Sequence, residues 1–139
     1  LDESGMELVQ NRIEKLPFMD WRQLPAVIAG LDINLMPLEN SLFHWCKSEN
    51  KWTEAALVKV PSVMSRNCEM EYVVENGKDG WMCTTKEEWV NALEALVTDE
   101  KARKAMGEAA HQKVMEHYLT VNTGKDAMEE LLCSESYTK

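Results

Sequence analysis

The sequence predicts an α/β fold: a parallel sheet with flanking helices, in one domain over residues 1–139. Two observations predict it. Short apolar runs, each bounded at one end by Pro or Gly, alternate along the chain with segments of helical periodicity, and that alternation is the mark of parallel strands joined by helices. The composition is that of a globular domain, 45% hydrophobic and 28% charged, and a chain of this size buries roughly two thirds of its unfolded surface.

The elements follow in order. Arg12–Phe18 reads as a short strand ending at Pro17. Asp20 can cap a turn over Trp21–Leu24. A helix follows over Pro25–Ala29, with Pro in the first turn and Gly30 as its C-terminal cap. Asp32–Met36 is an apolar run stopped by Pro37 and reads as a buried strand. The loop LENSLFHWC comes next. Ser48 or Asn50 then caps a helix running to Lys59, and Pro61–Ser65 is a further strand.

A helix over Glu69–Glu75 closes at Asn76-Gly77. The turn GKDG leads to a strand at Gly80–Cys83. Thr84 with Glu87, or Thr85 with Glu88, is a capping-box signature. The helix that follows reaches Val97 and places Trp89, Leu93 and Leu96 on one face. The next helix starts at Thr98-Asp99 and reaches Tyr118, with Ala102, Met106, Ala109 or Ala110, and Val114 as its apolar stripe. Gly107 weakens it by about 1 kcal/mol relative to Ala. A last helix is expected over Lys125–Cys133, and 134–139 reads as a frayed tail. Met64, Met70 and Met82 read as core filler. The start, LDESGMELVQ, lacks Met and begins in mid-pattern, so the chain reads as a piece of a longer protein.

Charge and motifs narrow the function. The net charge of -9 argues against nucleic acid and anionic membranes, which call for excess Lys and Arg. A small anionic ligand held by a few local cations remains compatible. The four cysteines show no C-x-x-C spacing and read as free thiols. His44 and Cys46 are two metal-ligand types without a third, which reads as structural or incidental. The glycines form neither G-x-G-x-x-G nor a P-loop, and Ser41 and Ser48 lack a G-x-S-x-G elbow. There is no signal-peptide pattern and no apolar run of membrane-spanning length.

In parallel α/β sheets the ligand crevice lies beyond the carboxyl ends of the strands. The loop after Asp32–Met36 is in that position, and it carries Asn40, Phe43, His44, Trp45, Lys47 and Ser48. Read as one helix, Lys47, Lys51 and Glu54 fall on one line. A helix N-terminus there would add N–H donors suited to phosphate. Glu54 can accept two sugar hydroxyls. The plain alternative is that the stripe is a solvated helix face.

The fragments LPFMDW, LPAVIAGLDINLMPLE, NKWTEAALVKVPSVMS and VVENGKDGWMCTTKEEWVNALEALVTDEKARKAMGEAA occur here in that order. Together they resemble the C-terminal, nucleotide-sugar-binding part of a two-Rossmann-domain retaining glycosyltransferase of the group 1 kind, over about residues 12 to 119. The resemblance implies a Rossmann-like sheet, incomplete on its N-terminal side, with the Arg12 strand as strand 3 of the order 3-2-1-4-5-6. It implies a nucleotide-diphosphate-sugar donor and transfer without a metal or other cofactor. A glycan or lipid-linked acceptor would be bound by a missing N-terminal domain.

By resemblance Glu54 holds the ribose, and Lys51, Lys47 and Ser48 lie near the diphosphate or sugar. Pro17, Phe18 and Met19 border the base, while Asn40 and Phe43 line the sugar side. Many members carry a second glutamate where this chain has Cys46. The resemblance further implies a cytoplasmic enzyme of polysaccharide biosynthesis, inactive as an isolated piece and prone to self-association through unpaired sheet edges. The alternative is a non-catalytic α/β binding or interaction module.

Overall fold

Three short strands, β1 (Asn34–Met36), β2 (Ser62–Ser65) and β3 (Trp81–Cys83), pair in parallel in the order β1-β2-β3. They come from a computed structural model that describes residues 10–39 and 41–125. The expected helix over Lys125–Cys133 and the expected tail lie outside the described residues, except for Lys125, the last described residue, which is helical together with residues 120–124.

The register explains the core. Met36 pairs with Met64, and Met64 with Met82, so three methionines form a row across one face of the sheet. All three are buried there with Trp52, Ala56, Met70, Val73, Val74, Ala110 and Val114. Side chains alternate between faces along a strand. The neighbouring residues Leu35, Val63 and Trp81 are therefore in register with one another on the other face. There Val63 packs with Cys83, Ala92, Leu96 and Met106.

The helices are α1 (Leu24–Ala29), α2 (Leu42–Trp45), α3 (Asn50–Leu57), α4 (Cys68–Val73), α5 (Lys86–Thr98) and α6 (Glu100–His117). Trp52, Ala55 and Ala56 form the buried face of α3, which packs on β1, β2 and α6. Ala92 and Leu96 are the buried residues of α5, which packs on β2, β3 and α6. The long α6 serves both cores, Met106 joining the second and Ala110 and Val114 the first. Ala102, expected on the buried stripe, is exposed.

Local chemistry sets most of the boundaries. Asp20 accepts from the Arg22 N–H and starts a 3-10 turn at Trp21–Gln23, with Pro25 in the first turn of α1 and Gly30 as its cap. The capping box resolves to Thr85 and Glu88. Gly77 takes φ 84 in the turn before β3, a conformation open to glycine at little cost. Asn67, not singled out from the sequence, caps α4 by accepting from the Met70 N–H.

The strand expected over Arg12–Phe18 is not formed. Gln10–Arg12 is a 3-10 turn and the residues from Ile13 to Asp20 are irregular, with Phe18 fully exposed. A strand needs a partner edge, and this segment pairs with none of the described strands. The outer edge of β1 is consequently unpaired among the described residues, and Leu35 at its middle is 50% exposed.

Candidate functional site

The chain leaves β1 at Pro37 and crosses the carboxyl end of the sheet. Leu38 is fastened to β2 there: its N–H donates to Ser65 Oγ at 2.8 Å, and Ser65 Oγ donates to its carbonyl at 3.2 Å. Ser41 then caps α2, and its hydroxyl lies 2.7 Å from His44 Nδ1. The same serine oxygen accepts the His44 backbone N–H, and the histidine tautomer sets which partner donates in the contact with the ring nitrogen. This one-turn helix was not foreseen in the loop, although a serine three residues before a histidine was a visible cap.

The predicted line of Lys47, Lys51 and Glu54 is corrected by the helix start. α3 begins only at Asn50, after Glu49, which makes no side-chain capping bond, so neither Ser48 nor Asn50 is the cap. Lys47 and Ser48 sit in the irregular link between α2 and α3. Lys51 and Glu54 remain neighbours one turn apart on α3. Lys47 instead places its ammonium 4.2 Å above the Phe43 ring, a cation–π contact. All three charged residues are exposed. The side chains of Lys51 and Glu54 have no hydrogen-bond or ion-pair partner among the described residues.

The other predicted residues are scattered. Pro17 and Phe18 are exposed and Met19 half-buried, in the irregular stretch before α1. Phe43 is exposed on α2, and Asn40 lies outside the described residues. His44 and Cys46 recruit no further ligand, because no group of three or more His, Cys, Asp or Glu suited to a metal occurs among the described residues.

The concavity of this end is elsewhere. A crevice of about 320 Å³ opens over the carboxyl ends of the strands, walled by Leu38, His44, Trp45, Arg66, Asn67 and Thr84 among others. Arg66 is held at both ends: its N–H donates to the Cys83 carbonyl at 3.0 Å and its guanidinium meets Glu71 at 3.0 Å. Burial, with the Glu88 carboxylate adding to it, pushes the Cys83 thiol up, so it stays protonated at neutral pH and is a poor nucleophile. Sequence reasoning placed the site at this end of the sheet but missed Arg66 and Asn67. The signal was available, since both follow β2 directly and the crevice rule applies to every strand end.

Comparison with known proteins bears on these observations. The family described as glycosyl transferases, group 1, matches residues 2–99. Among solved structures, the C-terminal domain of a group 1 family glycosyl transferase, LpcC from Francisella tularensis, superposes with a TM-score of 0.61 at 17% identity. That match covers 84% of this chain and 60% of the other. Anabaena Alr3699/HepE, solved in complex with UDP and glucose, gives a TM-score of 0.70 at 18% identity, covering 91% of this chain and 34% of the other. At these identities the likeness is one of fold. The chain thus spans about a third of HepE and three fifths of the LpcC domain. No curated protein matches.

Proposed function

The chain belongs to the group 1 glycosyl transferases, and from that premise we propose that it is the donor-binding part of an enzyme moving a hexosyl group from a nucleotide-diphosphate sugar to a glycan or lipid-linked acceptor. The family match over residues 2–99 carries the reading. The HepE structure, with UDP and glucose bound, supports a nucleotide-sugar ligand.

In this reading Glu54 accepts the two ribose hydroxyls, which suits an ionised carboxylate with no other partner. Lys51, Lys47 and Ser48, with N–H groups at the start of α3, neutralise the diphosphate as it leaves, so no metal is required. Pro17, Phe18 and Met19 border the base, and Asn40 and Phe43 the sugar side. Acceptor binding belongs to the rest of the protein, and transfer needs both parts, so this part alone does not catalyse it. In the same reading the reaction belongs to cytoplasmic polysaccharide synthesis. No described helix is long and apolar enough to cross a membrane. The open edge of β1 is the place for self-association.

Titration with UDP and GDP tests the reading. Micromolar to millimolar binding is expected, weakened at least tenfold by Glu54→Ala, about 1.4 kcal/mol. A silent Glu54→Ala overturns the ribose assignment. The exposure of Lys47, Lys51 and Glu54 favours one alternative, an interaction module whose stripe is only solvated, for which neither nucleotide binds.

A further inference from the structure

The outer edge of β3 is closed by a side chain. Arg66 donates its N–H to the Cys83 carbonyl at 3.0 Å, so the main-chain groups of Cys83 face β2. Those of Met82, one residue back, face the other way. No strand lies on that side among the described residues. Instead, Asn76 Oδ1 accepts the Met82 N–H at 2.7 Å. The Asn76 amide stands in for a neighbouring strand and holds the preceding turn against the sheet.

The same residue opens the one Asn-Gly pair in the sequence. In such a pair the nitrogen of the second residue can attack the side-chain carbonyl carbon of the first, and glycine has no Cβ to obstruct it. Gly77 N would bond to Asn76 Cγ and Nδ2 would leave as ammonia, giving a cyclic imide. Water then opens the ring at either carbonyl. One product is aspartate. The other is isoaspartate, in which the main chain runs through Cγ. The net change is water taken up and ammonia released, with no oxidant or reductant.

Neither reacting group is at liberty in the closed turn. The Gly77 N–H donates to Gly80 O at 2.8 Å, while Met82 holds Asn76 Oδ1. The surrounding turn is cross-tied. Asp79 Oδ1 accepts the Glu75 N–H at 2.8 Å, and Lys78 Nζ meets Glu75 Oε2 at 2.7 Å. The attacking nitrogen and Cγ meet only when these bonds part, so the rate follows the population of the opened turn. The two products differ in what they can restore. Aspartate keeps an oxygen where Oδ1 stands. Isoaspartate adds a carbon to the main chain and displaces that oxygen, so the Met82 N–H loses its acceptor.

We propose that Asn76 is a modification site guarded by the fold: opening of the β3 edge lets Gly77 N convert it, and the isoaspartyl product cannot close that edge again. No ligand enters the chemistry, so the inference stands apart from the transferase reading.

The full chain is incubated at mildly alkaline pH, folded in buffer and unfolded in guanidinium chloride. Mass spectrometry of the peptide spanning residue 76 follows the change from amide to acid, and chromatography separates the two products. Conversion is expected to be at least tenfold slower in the folded chain. After removal of the denaturant, the isoaspartyl chain is expected to exchange its Met82 amide hydrogen faster than unmodified chain treated alike, or to fail to refold where that chain refolds. Asn76→Asp, which keeps the normal main chain, is expected to protect Met82 as wild type does. Equal conversion in the two states overturns the proposal. So does an isoaspartyl chain with full Met82 protection, or an Asn76→Asp variant that exchanges as fast as the isoaspartyl chain. If neither chain refolds, the ratio of conversion rates alone decides.

Discussion

Lys59 holds a left-handed backbone, φ 63, two residues past the end of α3. Its N–H donates to Ala56 O and that of Val60 to Ala55 O, each at 3.0 Å, which is the Schellman arrangement usually given to glycine. A lysine there costs about 1–2 kcal/mol in backbone conformation. The carbonyl of Lys59 then meets α6, where a Cβ on Gly107 would lie 2.1 Å from it. From the sequence Gly107 looked like a flaw in a helix, but its lack of a side chain is what admits the neighbouring backbone. Gly107→Ala should therefore destabilise by about 1–3 kcal/mol through overpacking, despite alanine's better helix propensity. Urea denaturation measures it, and an unchanged midpoint would remove the steric account.

At the scale of the element, α5 shows what local sequence can specify. Thr85 Oγ1 accepts the Glu88 N–H at 3.2 Å, and Glu88 Oε2 accepts the Thr85 N–H at 3.0 Å. Thr85→Ala should cost about 0.5–2 kcal/mol in the same assay. The backbone N–H groups of Thr84 and Thr85 hold the Glu88 carboxyl below its ordinary 4.5. Because the folded value is the depressed one, this contribution is complete above 4.5 and is lost as pH falls through the folded value. An acid titration of wild type beside Glu88→Gln should show a shallower decline in the variant. The capping box, the strand stopped by Pro37 and the Asn76-Gly77 turn were legible because their causes lie within a few residues. The segment at Arg12–Phe18 was not, since a strand depends on an edge elsewhere. The line through Lys47 failed for a related reason: periodicity assumes one helix, and the chain breaks it into α2, a link and α3.

Across the whole molecule, Asp79 ties the turn before β3 to two helices. Its carboxylate, 4% exposed, meets Lys113 Nζ on α6 at 2.7 Å and accepts the Glu75 N–H at 2.8 Å. Its carbonyl accepts from Trp52 Nε1 on α3 at 2.9 Å. Removing one partner of such a pair strands the other, at about 3–5 kcal/mol when both are buried. Lys113 is partly solvated, so Asp79→Ala should fall at or below the lower end, and Asp79→Asn should cost less because the Glu75 N–H keeps its acceptor. Thermal melts of the two variants rank them, and equal losses would contradict the role given to the Glu75 hydrogen bond. None of this cross-bracing was readable from spacing, because its members are up to 34 residues apart.

The row of Met36, Met64 and Met82 has a chemical corollary. Each thioether can take up one oxygen and become a polar sulfoxide that an apolar core cannot hold. At 5%, 1% and 5% exposure, the three sulfurs are shielded from peroxide while the sheet stays closed. The layer that supports the carboxyl-end crevice is thus one whose integrity depends on the redox history of every opening it undergoes.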